Sequence, residues 1–345
     1  MKYFSAFSGI GGFELGIGDR GGCIGYSEVD KYAIQIYEKH FNHKNYGDIT
    51  KIRAEELPDF DLFVGGFPCQ SFSIAGKRGG FLDTRGTLFF EIARIVKEKR
   101  PRLLLLENVK GLLSHDGGNT FYIIITALDE LGYDLQWQVL NSKNFGVPQN
   151  RERVFIIGHL RGTARPEVFP IRESDTVSGA QAEGKQENGT GIRGEVSSTI
   201  DARYGALRNS GETYMIHNVY GGFKEWMRKF KDYSPTLRTP RGGGHLPMVA
   251  EIVEQLKEEG LEPTEKGWES LDNLEKMRIR KLTPVECERL QGFPDGWTEM
   301  GMKERWNIGQ DEARHFVEIS DTQRYKCLGN AVTVNVIKEI AKKLL

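Results

Sequence analysis

The sequence predicts an α/β protein: a doubly wound, mostly parallel sheet that carries a smaller, mainly β domain. Three observations lead there. Up to about residue 160, strand and helix patterns alternate. The strand patterns are short apolar runs, such as Leu103-Leu104-Leu105-Leu106, suited to burial on both faces. After Leu160 the texture changes to Gly, Ser, Thr and Arg, with short β-like pieces and little helical period. At 345 residues the chain has room for two domains. Apolar content of 39% and charged content of 28% are those of a globular protein. No apolar run reaches the length that spans a bilayer. Cys23, Cys69, Cys287 and Cys327 are scattered, with no metal-ligand spacing, which suits a reduced, cytosolic protein. A net charge of −1 does not advertise nucleic-acid binding, but a local basic groove would suffice for it.

In order along the chain, Lys2 to Ala6 reads as a strand rather than a signal peptide, and Gly11 to Ile17 opens a helix. Cys23 to Ser27 is a second strand, followed by a helical pattern in Tyr32, Ile34, Ile36, Tyr37 and Phe41. Asp61 to Gly65 is a third strand, Leu88 to Lys99 a helix, Arg102 to Leu106 a strand and Thr120 to Leu131 a helix. Tyr133 to Asn141 alternates and suits an antiparallel strand. Val154 to Gly158 closes the set. The resulting division is an α/β domain over 1–160 and a mainly β domain over 161–279. Within the latter, 251–279 reads as an acidic insertion of one or two surface helices. A hinge and return segment follows over 280–324, and a C-terminal helix over 325–345 completes the first domain.

Two segments of the middle region look alike. Ser198-Thr199-Ile200-Asp201 leads through Arg203 and Arg208 to Tyr214-Met215-Ile216. Pro235-Thr236-Leu237-Arg238 leads through Arg241 and three glycines to Pro247-Met248-Val249. Each is a strand, a loop with arginines, then another strand.

The chemistry concentrates where strands end. Phe7-Ser8-Gly9-Ile10-Gly11-Gly12 follows the first strand, and its glycines permit a tight turn close to a ligand at a helix N-terminus. Glu28 ends the second strand, where a carboxylate can take both hydroxyls of a ribose, and Asp48 can accept from an adenine amine. Together they describe an adenosine site. No Gly-x-x-x-x-Gly-Lys-Ser/Thr phosphate cradle is present, which argues against ATP hydrolysis and leaves S-adenosylmethionine, which needs no pyrophosphate site. Pro68-Cys69-Gln70 follows the third strand, and Glu107-Asn108-Val109 ends the fourth. A thiol and a carboxylic acid delivered to one rim can do covalent chemistry on an electron-poor ring.

The ordered set resembles the motifs of the DNA (cytosine-5)-methyltransferase family, of prokaryotic or phage restriction-modification type. The resemblance rests on Phe7 to Gly12, Glu28, Pro68-Cys69-Gln70-Ser71-Phe72-Ser73, Glu107-Asn108-Val109, Gln149 to Arg153, Arg280 to Trp297 and Gly329-Asn330-Ala331-Val332. It covers 1–160 and 280–345, and implies the S-adenosylmethionine-dependent methyltransferase fold. It implies Cys69 as the nucleophile on C6 of cytosine and Glu107 as the group on N3 and the exocyclic amine. Arg153 would hold O2, and Arg151 would support the active-site loop. It implies a base flipped out of the duplex, because attack on C6 needs access from above the ring. For the cofactor it implies Phe7, Gly9, Gly11, Gly12 and Glu28 on one side. Val29, Asp48 and Ile49 follow on the adenine side, with Pro68, Leu88, Asn330 and Ala331 lining the rest. Ser5, Val29 and Ala331 depart from residues common in the family.

Double-stranded DNA is the partner so implied, with a separate cognate restriction endonuclease admitted and no membrane. The protein would act as a monomer in the cytoplasm, at the nucleoid. Gln70, Ser73, Lys77, Arg78 and Arg85 belong to a glycine-rich loop resembling the one that closes over the flipped base. Arg203, Arg208, Arg238 and Arg241 are candidates for reading guanine, and Thr236-Leu237 for anchoring the recognition loops. Lys224 and Arg228, with Lys229 and Lys231, would meet phosphate or form a solvated helix face. A tRNA-methylating relative is the alternative, but its Cys-Phe-Thr tripeptide has no counterpart, since 161–279 contains no cysteine. A catalytically inactive DNA-binding protein is a second alternative, disfavoured by the presence of Cys69, Glu107, Arg151 and Arg153 together.

Overall fold

The structure is a computed structural model that describes residues 1–68, 88–172, 281–303 and 315–345 in full, together with the strand backbone within 214–218, 227–230, 234–235, 248–252, 277–280, 304–305 and 313–314. Its centre is a six-stranded sheet of β1 (Lys2–Ala6), β2 (Gly22–Ser27), β3 (Leu62–Gly66), β4 (Leu103–Val109), β5 (Tyr133–Asn141) and β7 (Glu152–Leu160). The order is β2-β1-β3-β4-β7-β5. The pairs among β1 to β4 are parallel, whereas β7 runs antiparallel to both β4 and β5. Strand and helix positions agree with the expected pattern to within a residue or two, except that β4 runs on through Glu107 to Val109.

Alternation along each strand divides the core in two. Phe4, Phe63, Leu104, Leu106 and Ile156 face α3 (Leu88–Lys99) and α4 (Asn119–Glu130). Tyr3, Leu62, Val64, Leu103, Leu105 and Ile157 face the opposite side, with α1 (Gly12–Ile17) and the last helix, α7 (Val334–Leu344). Both faces are therefore dry, as a doubly wound sheet requires. The chain leaves β1 to one side for β2, then crosses to the other side for β3. That reversal opens a crevice beyond the carboxyl ends of the strands.

A third apolar cluster joins α2 (Lys31–His40) to the return segment. It holds Ile10, Ala33 and Ile36 against Leu282, Leu290, Phe293 and Trp297. Here α5 (Pro284–Leu290) starts on a capping box between Thr283 and Glu286, with proline at its first turn. The segment expected as one C-terminal helix is two, α6 (Asp321–Asn330) and α7, because the chain turns extended at Ala331 and Thr333. Within the return segment, β13 (Met300–Arg305) and β14 (Ala313–Glu318) pair antiparallel.

The middle region supplies a second, antiparallel sheet. Its strands are β8 (Tyr214–Asn218), β9 (Met227–Phe230), β11 (Met248–Ile252) and β12 (Met277–Lys281), in the order β12-β11-β8-β9. Both ends of the stretch expected to be helical are thus strand, Glu251 pairing with Arg278 and Ile252 with Met277; 253–276 lies outside the described residues. The helix face considered for Arg228 and Lys229 is likewise strand β9, paired antiparallel with β8. A two-residue strand, β10 (Ser234–Pro235), pairs in parallel with β6 (Gln149–Asn150) of the first domain.

Candidate active site

Two sets of groups occupy the rim above the sheet. The first is the turn after β1. Phe7, Gly9 and Gly11 all have left-handed φ values, 53°, 56° and 87°. At Gly11 a Cβ would come within 2.4 Å of the Phe41 ring, so no other residue fits without displacing it. At Gly12 a Cβ would meet Val332 at 2.7 Å. At Gly9 the same position is open, so the backbone there is accessible to a ligand. The helix that follows has only six residues, Gly12–Ile17, so the amides of the turn matter more than a helix dipole.

Glu28 lies directly beyond this turn. Its Oε2 accepts from the Gly9 amide at 2.9 Å, and its Oε1 accepts from the amides of Val29 and Asp30 at 2.8 and 2.9 Å. A carboxylate offers about four acceptor positions, so Oε2 can still take a hydroxyl. Beside it Val29 is 68% exposed, an apolar side chain with nothing over it. Asp48 caps the turn Ile49–Lys51, accepting from the Thr50 amide and hydroxyl, which hold its carboxyl below the usual range. Ile49 is buried in the core. Leu88 is half-buried, Pro68 and Asn330 are exposed, and Ala331 is buried. These groups, an acidic acceptor, a glycine turn with open space over Gly9 and an exposed apolar side chain, fit a nucleoside such as that of S-adenosylmethionine.

The second set lies at the ends of β3, β4 and β7. Gly66 pairs with Glu107 in the parallel ladder, and a Cβ on Gly66 would sit 3.0 Å from Glu107 Oε2. Glycine there makes room for the carboxylate. In the antiparallel ladder Glu107 stands opposite Phe155, so Arg153, two residues earlier, projects from the same face as its diagonal neighbour. Arg153 Nε meets Glu107 Oε1 at 3.0 Å, with the two side chains 15% and 12% exposed. Asn108, buried between the strands, donates from Nδ2 to the Phe67 carbonyl at 2.9 Å. The chain entering Pro68 is thereby tied to the end of β4. Cys69 itself, with Gln70, Ser73, Lys77, Arg78 and Arg85, lies outside the described residues.

Arg151 has a different setting from Arg153. It is buried, and its Nη2 donates to the carbonyls of Gly329 and Ala331 at 3.3 and 2.9 Å. Burial, then repulsion from Arg153, pushes the guanidinium down to about 9, with Glu107 opposing. Gln149 donates to the Leu290 carbonyl at 2.7 Å, and Gln291 to that of Leu328 at 2.9 Å. The run Gln149 to Arg151 therefore clasps the return segment to the sheet. Among the candidate DNA contacts, Arg228 lies in β9, whereas Arg203, Arg208, Lys224, Thr236, Leu237, Arg238 and Arg241 lie outside the described residues.

Three contacts carry no signal in the sequence. Trp297 Nε1 donates to the Ile10 carbonyl at 3.0 Å, across 287 positions. Lys326 pairs with Asp30, the N-cap of α2, and Asn108 holds Phe67. A hydrophobic pattern predicts burial, but it does not say which distant backbone group a polar atom will meet.

Comparison with known proteins agrees with this architecture. The family model for C-5 cytosine-specific DNA methylase matches residues 1–345. The chain is similar to the Type II methyltransferase M1.ScrFI of Lactococcus lactis subsp. cremoris, 36% identical over 346 residues that cover 100% of this chain and 78% of that one. It is 32% identical over 444 residues to the Orphan methyltransferase M.SPRI of Bacillus phage SPR, covering 100% and 97%. In fold it is similar to the crystal structure of the S. pombe Dnmt2 methyltransferase, with a TM-score of 0.61, 17% identity, and coverage of 100% and 98%.

Proposed function

Because the chain belongs to the C-5 cytosine-specific DNA methylase family, we propose that it methylates carbon 5 of a cytosine flipped out of a specific double-stranded DNA sequence, through a covalent adduct with Cys69. The observation that carries this reading is the Glu107–Arg153 pair at the strand ends, on the rim to which Asn108 ties the chain two residues before Cys69. Carbon 5 of cytosine is a weak nucleophile until a thiolate adds at the neighbouring C6. Glu107 protonates or hydrogen-bonds N3 and the exocyclic amine, which makes C6 electrophilic. Arg153 fixes the Glu107 carboxylate and holds O2. Addition forms the S–C6 bond and turns C5 into an enamine carbon. When bound, S-adenosylmethionine would supply an electrophilic methyl group to that carbon, its sulfonium sulfur leaving as the neutral thioether of S-adenosylhomocysteine. Loss of the C5 proton to a base then regenerates the double bond and expels the Cys69 thiolate, so the enzyme ends as it began.

Glu28 takes the ribose, Asp48 the adenine amine, and Phe7 and Val29 pack near the adenine. Gly9, Gly11, Gly12, Ile49, Pro68, Leu88, Asn330 and Ala331 line the remainder. Arg151 acts by clasping the segment that contains Asn330 and Ala331. Target recognition belongs to the middle region, and β10 supports the second arginine loop as its centre. Ser234–Pro235 is paired to Gln149–Asn150, directly before the β7 strand that carries Arg153. Gln70, Ser73, Lys77, Arg78 and Arg85 close over the base, and Lys224 and Arg228 meet phosphate. We place the enzyme, as a monomer, in the cytoplasm at the nucleoid. No helix among the described residues is long and apolar enough to cross a membrane.

The test is Cys69→Ala. Methyl transfer, read by bisulfite sequencing of treated DNA, is abolished while S-adenosylmethionine binding stays near the wild-type level. A variant that still methylates cytosine at carbon 5 contradicts the covalent route.

A further inference from the structure

The glycine turn is held in place by the far end of the chain. Among the described residues two side chains outside the turn bond its backbone, Glu28 at the Gly9 amide and Trp297 at the Ile10 carbonyl, at 2.9 and 3.0 Å. Trp297 is itself immobilised on every side. Its ring stacks on His40, with centroids 3.5 Å apart and planes 5° from parallel. Its carbonyl accepts from His40 Nε2 at 2.8 Å. The residues on either side of it, Gly296 and Thr298, donate their amides to Glu288 at 2.7 and 2.8 Å. Glu288 is fully buried and paired with Arg324, which also donates to the Thr298 hydroxyl at 3.0 Å. A buried, fully bonded polar network of this kind is rigid.

We propose that Trp297 is a positioning residue that sets cofactor affinity by holding the glycine turn at the Ile10 carbonyl. The inference rests on the reading that this turn and Glu28 bind S-adenosylmethionine. Glu28 serves two purposes in that reading: it holds Gly9 and it takes the ribose. The hydroxyl would take the remaining acceptor position of Oε2, so Glu28 keeps its hold on the Gly9 amide. Trp297 is the second side-chain hold on a turn whose left-handed residues, Gly9 and Gly11, resist few other conformations. A turn pre-set in its binding geometry loses less entropy when the ligand arrives.

The experiment compares wild type, Trp297→Phe and Trp297→3-benzothienylalanine, the last keeping the bicyclic ring but replacing N–H with sulfur. Trp137→Phe, on the far edge strand, is the control. Calorimetry measures Kd for S-adenosylmethionine and S-adenosylhomocysteine, steady-state kinetics give kcat at saturating cofactor, and hydrogen exchange follows residues 8–12. The loss of one hydrogen bond raises Kd about fivefold in both Trp297 variants. Kcat at saturation and DNA affinity stay near wild type, exchange in the turn speeds up, and Trp137→Phe changes nothing. Unchanged Kd and unchanged exchange in the benzothienyl variant overturn the proposal, even if Trp297→Phe is unstable. If wild type binds neither nucleoside, the functional reading fails, and the exchange measurement still decides whether Trp297 holds the turn.

Discussion

The two halves of the rim are built on different principles. In the half proposed for the cofactor, β1 and β2 are parallel, and the candidate groups are held mainly by backbone: Glu28 by three amides, and Asp48 by the Thr50 amide and hydroxyl. In the base half, β7 runs against β4, so its beginning meets the end of β4. There the functional groups hold each other, as Glu107 and Arg153 do. A backbone-held carboxylate keeps its place when a neighbour is changed. A carboxylate held by a partner side chain keeps its place only while both are present, and losing one leaves the other charged and half-dry. The base half should therefore be the more sensitive of the two in rate, and the cofactor half in affinity.

The largest effect belongs to the base half. Glu107→Gln keeps the shape and removes the acid, and a general acid contributes roughly two to four orders of magnitude in rate. Single-turnover kinetics should show such a fall with cofactor affinity unchanged. A fall of less than about tenfold, against that expectation, makes Glu107 merely structural and breaks the contrast.

Beneath the cofactor half lies a group that titrates. Glu14 of α1 is buried, and neither carboxylate oxygen has a hydrogen-bond partner of good geometry among the described residues. Burial pushes its carboxyl from 4.5 up to about 7, partly offset by the Ser5 hydroxyl, its own backbone and the Tyr37 hydroxyl. The folded state thus favours the protonated form. Its contribution to stability is complete below 4.5 and is lost as pH rises through about 7. Glu14→Gln should match wild type in unfolding free energy near pH 4 and exceed it by on the order of 3 kcal/mol above neutrality. Denaturant titrations of both proteins across that range check the sign, and a pH-independent difference contradicts it.

The smallest effect concerns neither half of the rim. Alanine at Arg238 or Arg241 should relax the methylated sequence at one base position, at a cost of about 1–3 kcal/mol in discrimination. Sequencing of methylated random-flank DNA reads this directly. If Arg203→Ala or Arg208→Ala broadens the site set instead, recognition belongs to the first of the two similar segments.

The first 160 residues were legible because burial on two faces writes itself as short apolar runs between helical periods. Strand β4 ran further than its apolar run, since Glu107 and Asn108 are polar residues kept in the ladder by their partners. Glu28 stood out as a carboxylate directly after a strand, whereas Asp48 was marked only by its place in the run Gly47-Asp48-Ile49. Trp297 could not, because its bond to Ile10 depends on the return segment folding back over α2. The acidic stretch after Val249 misled for another reason: Ile252 has helical neighbours in sequence, but pairs with Met277 in the ladder.

The central claim is that Cys69 adds to C6 of the flipped cytosine. Fluorine at carbon 5 cannot leave as a proton does, so an enzyme that works this way is trapped on its substrate. Wild-type protein incubated with S-adenosylmethionine and duplex DNA carrying 5-fluorocytosine at the target should migrate as a denaturant-resistant protein–DNA adduct, absent in Cys69→Ala. Normal methylation of unmodified DNA without any such adduct would contradict the account.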